Sequence, residues 1–144
     1  MCHQLRMPPA LSAAELNDIT AKIIGAAIEV HRTLGPGLLE AAYHACLCYE
    51  LHQARLRFER KTRIPLNYKG VRISCAYEPD IIVEDVVIVE VKAVETLARI
   101  HKCQLFTYLA ISDRRVGLIL NFGAETMKGG IERVVNRFPE HDIQ

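Results

Sequence analysis

Asp80, Glu90 and Lys92 are the residues of this chain whose types and spacing could do chemistry. Glu90 and Lys92 interrupt the run VVIVEVKAV, the most strand-like segment of the sequence. Strand alternation puts their side chains on one face, two residues apart. Asp80 opens the preceding β-branched run, DIIV. Such side chains are rarely buried unless they are paired. Two carboxylates about 5 Å apart repel by roughly 3 kcal/mol at an effective dielectric of about 20. Lys92 would offset part of that repulsion, and a hard divalent cation would offset more. Mg²⁺ typically takes one or two carboxylates and completes its shell with waters and phosphate oxygens. Such a cation polarises a phosphoryl group, and a nearby lysine can orient or deprotonate water and stabilise developing charge. The simpler alternative is a Glu–Lys ion pair on an exposed strand face.

Register decides between these readings. If the two runs form an antiparallel pair, Asp80 lies opposite Glu90 only when Val83 faces Val87 and the turn centres on Asp85. A two-residue loop at Glu84-Asp85 would instead oppose Asp80 to Val89 and send the carboxylates to opposite faces. The apolar pattern cannot choose, because both faces read as buried. An odd loop or a bulge is therefore an expectation that the fold must meet.

The elements that would position these residues follow from periodicity. Residues 1 to about 11 read as an irregular arm, with Pro8-Pro9 blocking regular structure. Ser12 and Glu15 form a capping-box pair. A helix follows to about Thr33, with an apolar stripe at Ile19, Ile23, Ala26, Ala27 and Val30. Gly35-Pro36-Gly37 ends it. A second, well-buried helix is expected from about Leu38 to His52. Extended segments start near Arg55, with a hairpin turn at Lys69-Gly70. Asp80–Val83 and Val86–Val91 read as strands buried on both faces. A helix is expected from Thr96 to about Ser112, a buried strand over Val116–Asn121, and a short final helix within Met127–Phe138. The order is that of an α/β domain built around one mostly buried sheet.

Composition narrows the function classes. The chain has 144 residues, half hydrophobic and 24% charged, which suits one globular domain over 12–138 and excludes a disordered chain. A tail is expected over 139–144. No run of about 18 apolar residues exists, so no membrane span is expected, and the location expected is cytoplasmic. The five cysteines include no C-x-x-C pair and read as free thiols rather than a zinc site. From Arg55 to Arg72 seven basic residues stand against Glu59 alone; from Glu78 to Glu95 six acids stand against Lys92 alone. A basic stretch followed by an acidic one fits a phosphate-binding surface beside a cation site. A solvated strand surface beside an unrelated acidic turn fits as well. Gln104 and Tyr108 share one helix face at i, i+4 and could both address a phosphate. Packing of Tyr108 in the core is the alternative. His101, one turn before Gln104, is a weaker candidate for the same pocket.

Glu78-Pro79-Asp80 followed by Glu90-Val91-Lys92 resembles the P-D…(D/E)-x-K signature of the PD-(D/E)XK nuclease superfamily. Gly37-Leu38-Leu39-Glu40-Ala41-Ala42-Tyr43 resembles the motif that names the bacterial GxxExxY proteins. KIIGAAIEVHRTLGPGLLEAAY, DIIVEDVVIVEVKAV, QLFTYL and VGLILNFG resemble that family in order and spacing, over about residues 16 to 136. The resemblance implies a restriction-endonuclease-like α/β fold, a central mixed β-sheet flanked by helices. It implies Mg²⁺ or Mn²⁺ held by Glu40, Asp80, Glu90 and the main-chain carbonyl of Val91, with Lys92 serving the attacking water. Read alone, Glu40 is a helix N-terminal acid favoured by the dipole. Gln104-Leu105-Phe106-Thr107-Tyr108 is similar to the Q-x-x-x-Y motif of the exonuclease-like branch, which implies that Gln104 and Tyr108 position the strand. Tyr43 is either a structural partner of the site or core packing. Arg57, Arg60, Lys61 and Arg63 are the expected nucleic-acid contacts. The expectation is a nuclease acting on phosphodiester bonds, on DNA and in an exonuclease-like mode; a homo-oligomer is compatible with it. The alternatives are a non-catalytic nucleic-acid-binding or assembly module, or a subunit active only with a partner.

Overall fold

The computed structural model describes residues 7–140, apart from the side chains of Cys75 and Ala76. Cys2, His3 and His141, and the outer parts of the expected arm and tail, lie outside the described residues. Ser12 caps helix α1 (Ala13–Leu34): its hydroxyl accepts from the Glu15 N–H and the Glu15 carboxylate accepts from the Ser12 N–H. Gly35, at φ 67°, ends the helix in a conformation that favours glycine. Helix α2 (Glu40–Gln53) follows. Strand β1 (Phe58–Arg60), the hairpin β2 (Ile64–Tyr68) and β3 (Val71–Tyr77), and the pair β4 (Ile81–Val83) and β5 (Val87–Lys92) come next. Helix α3 (Arg99–Ser112), strand β6 (Val116–Asn121), a 3₁₀ turn at Lys128–Gly130 and strand β7 (Ile131–Val135) complete the described fold.

The main sheet has the order β1-β4-β5-β6-β7; β5 and β6 are parallel and the other neighbours antiparallel. The β2–β3 hairpin forms a separate two-stranded sheet. Among the described residues, no helix is long and apolar enough to cross a membrane. The expected mixed sheet flanked by helices is therefore present.

Strand parity divides the core into two layers. Ile81, Val83, Val87, Val89 and Val91 join Leu16, Ile23, Tyr43, Leu47 and Leu51 of α1 and α2. Ile82, Ile88 and Ile119 join Ile64 and, from α3, Leu105 and Leu109. Gly117 makes the second layer possible. A Cβ there would lie 2.7 Å from Leu105 Cδ1 and 3.1 Å from the Ile88 carbonyl oxygen, so only glycine lets α3 approach this closely.

The expected final helix is instead a strand. Gly129-Gly130 is a poor place to carry a helix, and β-branched Ile131, Val134 and Val135 suit a strand. That strand pairs antiparallel with β6 from Val116↔Val135 to Leu120↔Ile131. The helix after β5 begins three residues later than expected, at Arg99.

The β4–β5 register is the one the chemistry requires. Val83 faces Val87 and Ile81 faces Val89, so residues 84–86 form an odd-numbered turn. Glu84 (φ 50°) and Asp85 (φ 60°) are left-handed. Each is held by an arginine. The Arg57 N–H donates to Glu84 Oε1 at 2.8 Å, its guanidinium grips Oε2, and the Glu84 N–H returns a bond to the Arg57 carbonyl at 2.8 Å. Arg114, buried, donates to the Asp85 carbonyl at 3.0 Å and to Asp85 Oδ1 at 2.8 Å. Replacing Arg114 by Leu frees the Asp85 half of that turn while Arg57 still holds Glu84, and should cost about 2–3 kcal/mol. Urea unfolding of wild type against the variant measures the loss.

Candidate active site

The β4–β5 register carries Asp80, immediately before β4, to a position opposite Glu90. The Asp80 N–H donates to Glu90 Oε1 at 3.2 Å, and Asp80 Oδ2 accepts from the Val91 N–H at 2.8 Å. Each carboxyl group thus spends one oxygen on a backbone N–H, and the two groups face each other. The Asp80 carbonyl is also held, by the Lys61 N–H at 3.1 Å and by His44 Nε2 at 3.3 Å.

Glu90 is only 9% exposed. Burial, and next the charge of Asp80, push its carboxyl up to about 8; the Asp80 N–H and the charge of Lys92 pull it back only in part. Lys92, half-buried at the end of β5, is therefore near enough to act on Glu90 without neutralising it. Parity directs Glu90 and Lys92 toward the α3 layer. Tyr108 of α3 comes near Glu90 there: burial, and then the charges of Glu90, Tyr77 and Asp80, raise its phenol above the ordinary range. Its ring makes an edge contact with Tyr77 at a centroid distance of 4.8 Å. Gln104, one turn earlier on α3, is exposed.

A small hard cation fits this donor set. Two inward carboxylates, one of them raised well above the usual carboxylate range by burial and then by its neighbour's charge, lack the positive charge that would let both ionise. Among the described residues no three of His, Cys, Asp or Glu gather into one cluster. Glu40, the exposed first residue of α2, stays apart from the pair. Its helix packs in the opposite layer, so Glu40 can approach Asp80 and Glu90 only around the end of the strands. The Val91 side chain is fully buried, leaving its main chain for the site.

Tyr43 is a staple, not a site residue. Fully buried, it stacks on Phe122 at 4.7 Å and 7°. Its hydroxyl donates to the Gly35 carbonyl at 2.5 Å and accepts from the Leu38 N–H at 3.1 Å. It thus fixes the loop that delivers Glu40. His101 is a helix cap: its Nδ1 accepts from the Ala98 N–H at 3.3 Å. Of the basic candidates, Arg57 is bound to Glu84, and Arg63 lies 3.9 Å from Glu78. Arg60 and Lys61 are exposed. Together with Arg72 and Arg114, these residues line an open groove of about 1300 Å³ along the β1 edge.

Sequence reasoning missed several supports. Buried Asn121 pairs with both polar groups of the Val94 backbone, at 3.0 and 2.9 Å, and fixes the exit from β5. The Phe122 N–H donates to the Lys92 carbonyl at 2.8 Å. His31 Nε2 lies 2.9 Å from the Ala124 carbonyl. Tyr77 packs on Tyr108, and His44 holds the Asp80 carbonyl. An asparagine closing the apolar run VGLIL, and a tyrosine just before Glu78-Pro79-Asp80, were the available signals.

A family model described as the PD-(D/E)XK nuclease superfamily matches residues 17–134. No curated protein and no solved structure matches the chain.

The carboxyl pair makes stability depend on pH. Folded Glu90 holds its proton up to about 8, whereas an unfolded glutamate releases it near 4.5. Between those values the folded state binds more protons, so the metal-free protein should lose stability as pH rises through that window. The loss should amount to several kcal/mol, since each pKa unit is worth about 1.4 kcal/mol. Glu90→Gln should flatten the profile and raise the melting temperature at pH 8. Thermal melts in EDTA across pH 4.5–8.5 measure both effects.

Proposed function

Since this chain belongs to the PD-(D/E)XK nuclease superfamily, we propose that Asp80, Glu90 and Lys92 are the centre of a Mg²⁺- or Mn²⁺-dependent nuclease that hydrolyses phosphodiester bonds. The single observation that carries this reading is the buried Glu90 carboxyl set against Asp80, with Lys92 beside them. The motif Gly37–Tyr43 further supports assignment to the GxxExxY proteins.

In this reading Asp80 and Glu90 hold the cation. Glu40 and the Val91 carbonyl complete the protein's share. When bound, the cation supplies Lewis-acid polarisation of the phosphoryl oxygens and neutralises charge at the scissile bond. Lys92 orients the attacking water and stabilises the charge that develops as the bond breaks. The Tyr108 hydroxyl, kept protonated by its surroundings, donates to the strand, and Gln104 adds an amide one turn away. Arg60 and Lys61 bind flanking phosphates, with Arg57 and Arg63 as outer contacts once their acidic partners yield. The groove along β1 offers charge but little aromatic surface, which suits backbone contacts that do not read bases.

DNA is the proposed substrate and attack from an end the proposed mode. A second reading, a subunit completed by a partner chain, draws on one observation: among the described residues no third acid closes on the pair.

End-labelled linear DNA, closed circular DNA and RNA, each in Mg²⁺, Mn²⁺ and EDTA, test the proposal with Lys92→Ala as control. Cation-dependent loss of linear DNA that falls at least a hundredfold in the variant is expected. Sparing of the circle marks an exonuclease. No cleavage under any condition overturns the stand-alone enzyme.

The basic edge gives a separate test. Arg60→Glu with Lys61→Glu should weaken DNA binding about tenfold or more and flatten its salt dependence. Fluorescence polarisation in EDTA across a salt series measures this.

A further inference from the structure

We infer that His44 is a positioning residue: its Nε2–H holds the main-chain carbonyl of Asp80 and thereby keeps the Asp80 carboxylate aligned with Glu90 for cation binding. The inference rests on the proposed role of Asp80 and Glu90 as a cation-binding pair.

His44 Nε2 lies 3.3 Å from the Asp80 carbonyl oxygen. A carbonyl only accepts, so Nε2 must carry the proton. In the neutral ring Nδ1 is then an acceptor. Cys48, one turn further along α2, presents its Sγ at 3.9 Å from Nδ1. Burial pushes the Cys48 thiol up, which keeps its S–H available as a donor. The chain Cys48–His44–Asp80 thus fixes both the tautomer and the ring orientation.

The position of this contact gives it its role. Among the described residues, no other α2 side chain hydrogen-bonds to the sheet. The buried side chains through which α2 packs on the sheet are Tyr43, Leu47, Cys48 and Leu51, and that packing is chiefly apolar. Apolar contact resists separation but is not directional, whereas a hydrogen bond is. The acceptor, moreover, is the residue whose N–H meets Glu90 and whose carboxylate meets the Val91 N–H. Displacement of the Asp80 backbone would disturb all of these contacts together. Glu40 stands one turn before His44 on α2, so the same bond also sets where that carboxylate sits relative to the pair.

Calorimetric titration of Mn²⁺ alone into the full chain tests the inference. Gln places its amide nitrogen near the His Nε2 position; Asn places its own near Nδ1 and falls short of Asp80. His44→Gln should keep the wild-type Mn²⁺ affinity within about twofold, and His44→Asn should weaken it about tenfold. Ile23→Ala, a cavity in α1 remote from the site, should lower the melting temperature and leave Mn²⁺ affinity unchanged. If His44→Asn binds as wild type does, or if Gln fails to restore what Asn loses, the role of His44 is overturned. If wild type does not bind millimolar Mn²⁺, the cation-pair reading falls, and this inference with it.

Discussion

The site depends on one constraint, the odd-numbered turn between β4 and β5. An antiparallel pair has a side-chain period of two, so adding or removing one turn residue exchanges every side chain between faces. With Val83 opposite Val87, Asp80 and Glu90 share a face. One residue fewer would set Asp80 against Val89 and separate the carboxylates by the thickness of the sheet. Hydrophobic burial does not select the register, since Ile81, Ile82, Val83, Val87, Ile88 and Val89 are buried in either layer. The selection falls to the turn. Its left-handed Glu84 and Asp85 each cost about 1 kcal/mol. Arg57 and Arg114 approach them from either side of the β4–β5 pair, from just before β1 and just before β6. Two arginines distant in sequence thus act on the geometry of two acids that they do not touch.

The rest of the fold brings supports to the other end of the same strands. Tyr43, Phe122, Asn121 and His31 form a connected set around the exits of β5 and β6. Phe122 links two of these roles: its N–H fixes the Lys92 carbonyl and its ring carries Tyr43, which shapes the loop before Glu40. The glutamate and tyrosine of the Gly37–Tyr43 motif therefore do different work. Glu40 is displayed, and Tyr43 makes the display rigid. The spacing of three puts them on adjacent parts of the helix surface, one outward and one fully buried.

Much of this was legible in the sequence, for identifiable reasons. Glu90 and Lys92 stood out because charge inside a β-branched run is physically anomalous. The capping box at Ser12 and the turn at Lys69-Gly70 are local rules, and both are met. The register could be stated as a condition but not decided, because its determinants are Arg57 and Arg114, whose contacts with the turn span 27 and 29 residues. The last segment misled because Met127–Phe138 is short and its apolar residues suit either period. It becomes a strand because β6 offers an open edge to pair with. His44 was silent for a different reason: it acts on a main-chain group, and a backbone partner leaves no trace in side-chain pattern. Glu40 was legible only as a motif. Its helix lies in the layer opposite the two acids, and layer assignment needs the whole sheet.

The same arrangement explains why a destabilising pair is placed where the fold is strongest. β5 is central, flanked by β4 and β6 and covered on both faces. An unpaired carboxylate on an edge strand would rotate into water and lose its neighbour. In β5 neither neighbouring strand can yield without breaking its ladder, so Glu90 stays against Asp80 in spite of the repulsion. The strain appears as a proton retained far above the usual carboxylate range. A divalent cation binding there would displace that proton and relieve burial and repulsion at once, with binding energy coming partly from strain already stored in the metal-free protein. A rigid central strand is therefore a condition for the proposed chemistry. A softer scaffold would relax the carboxylates apart and leave the cation with less to gain.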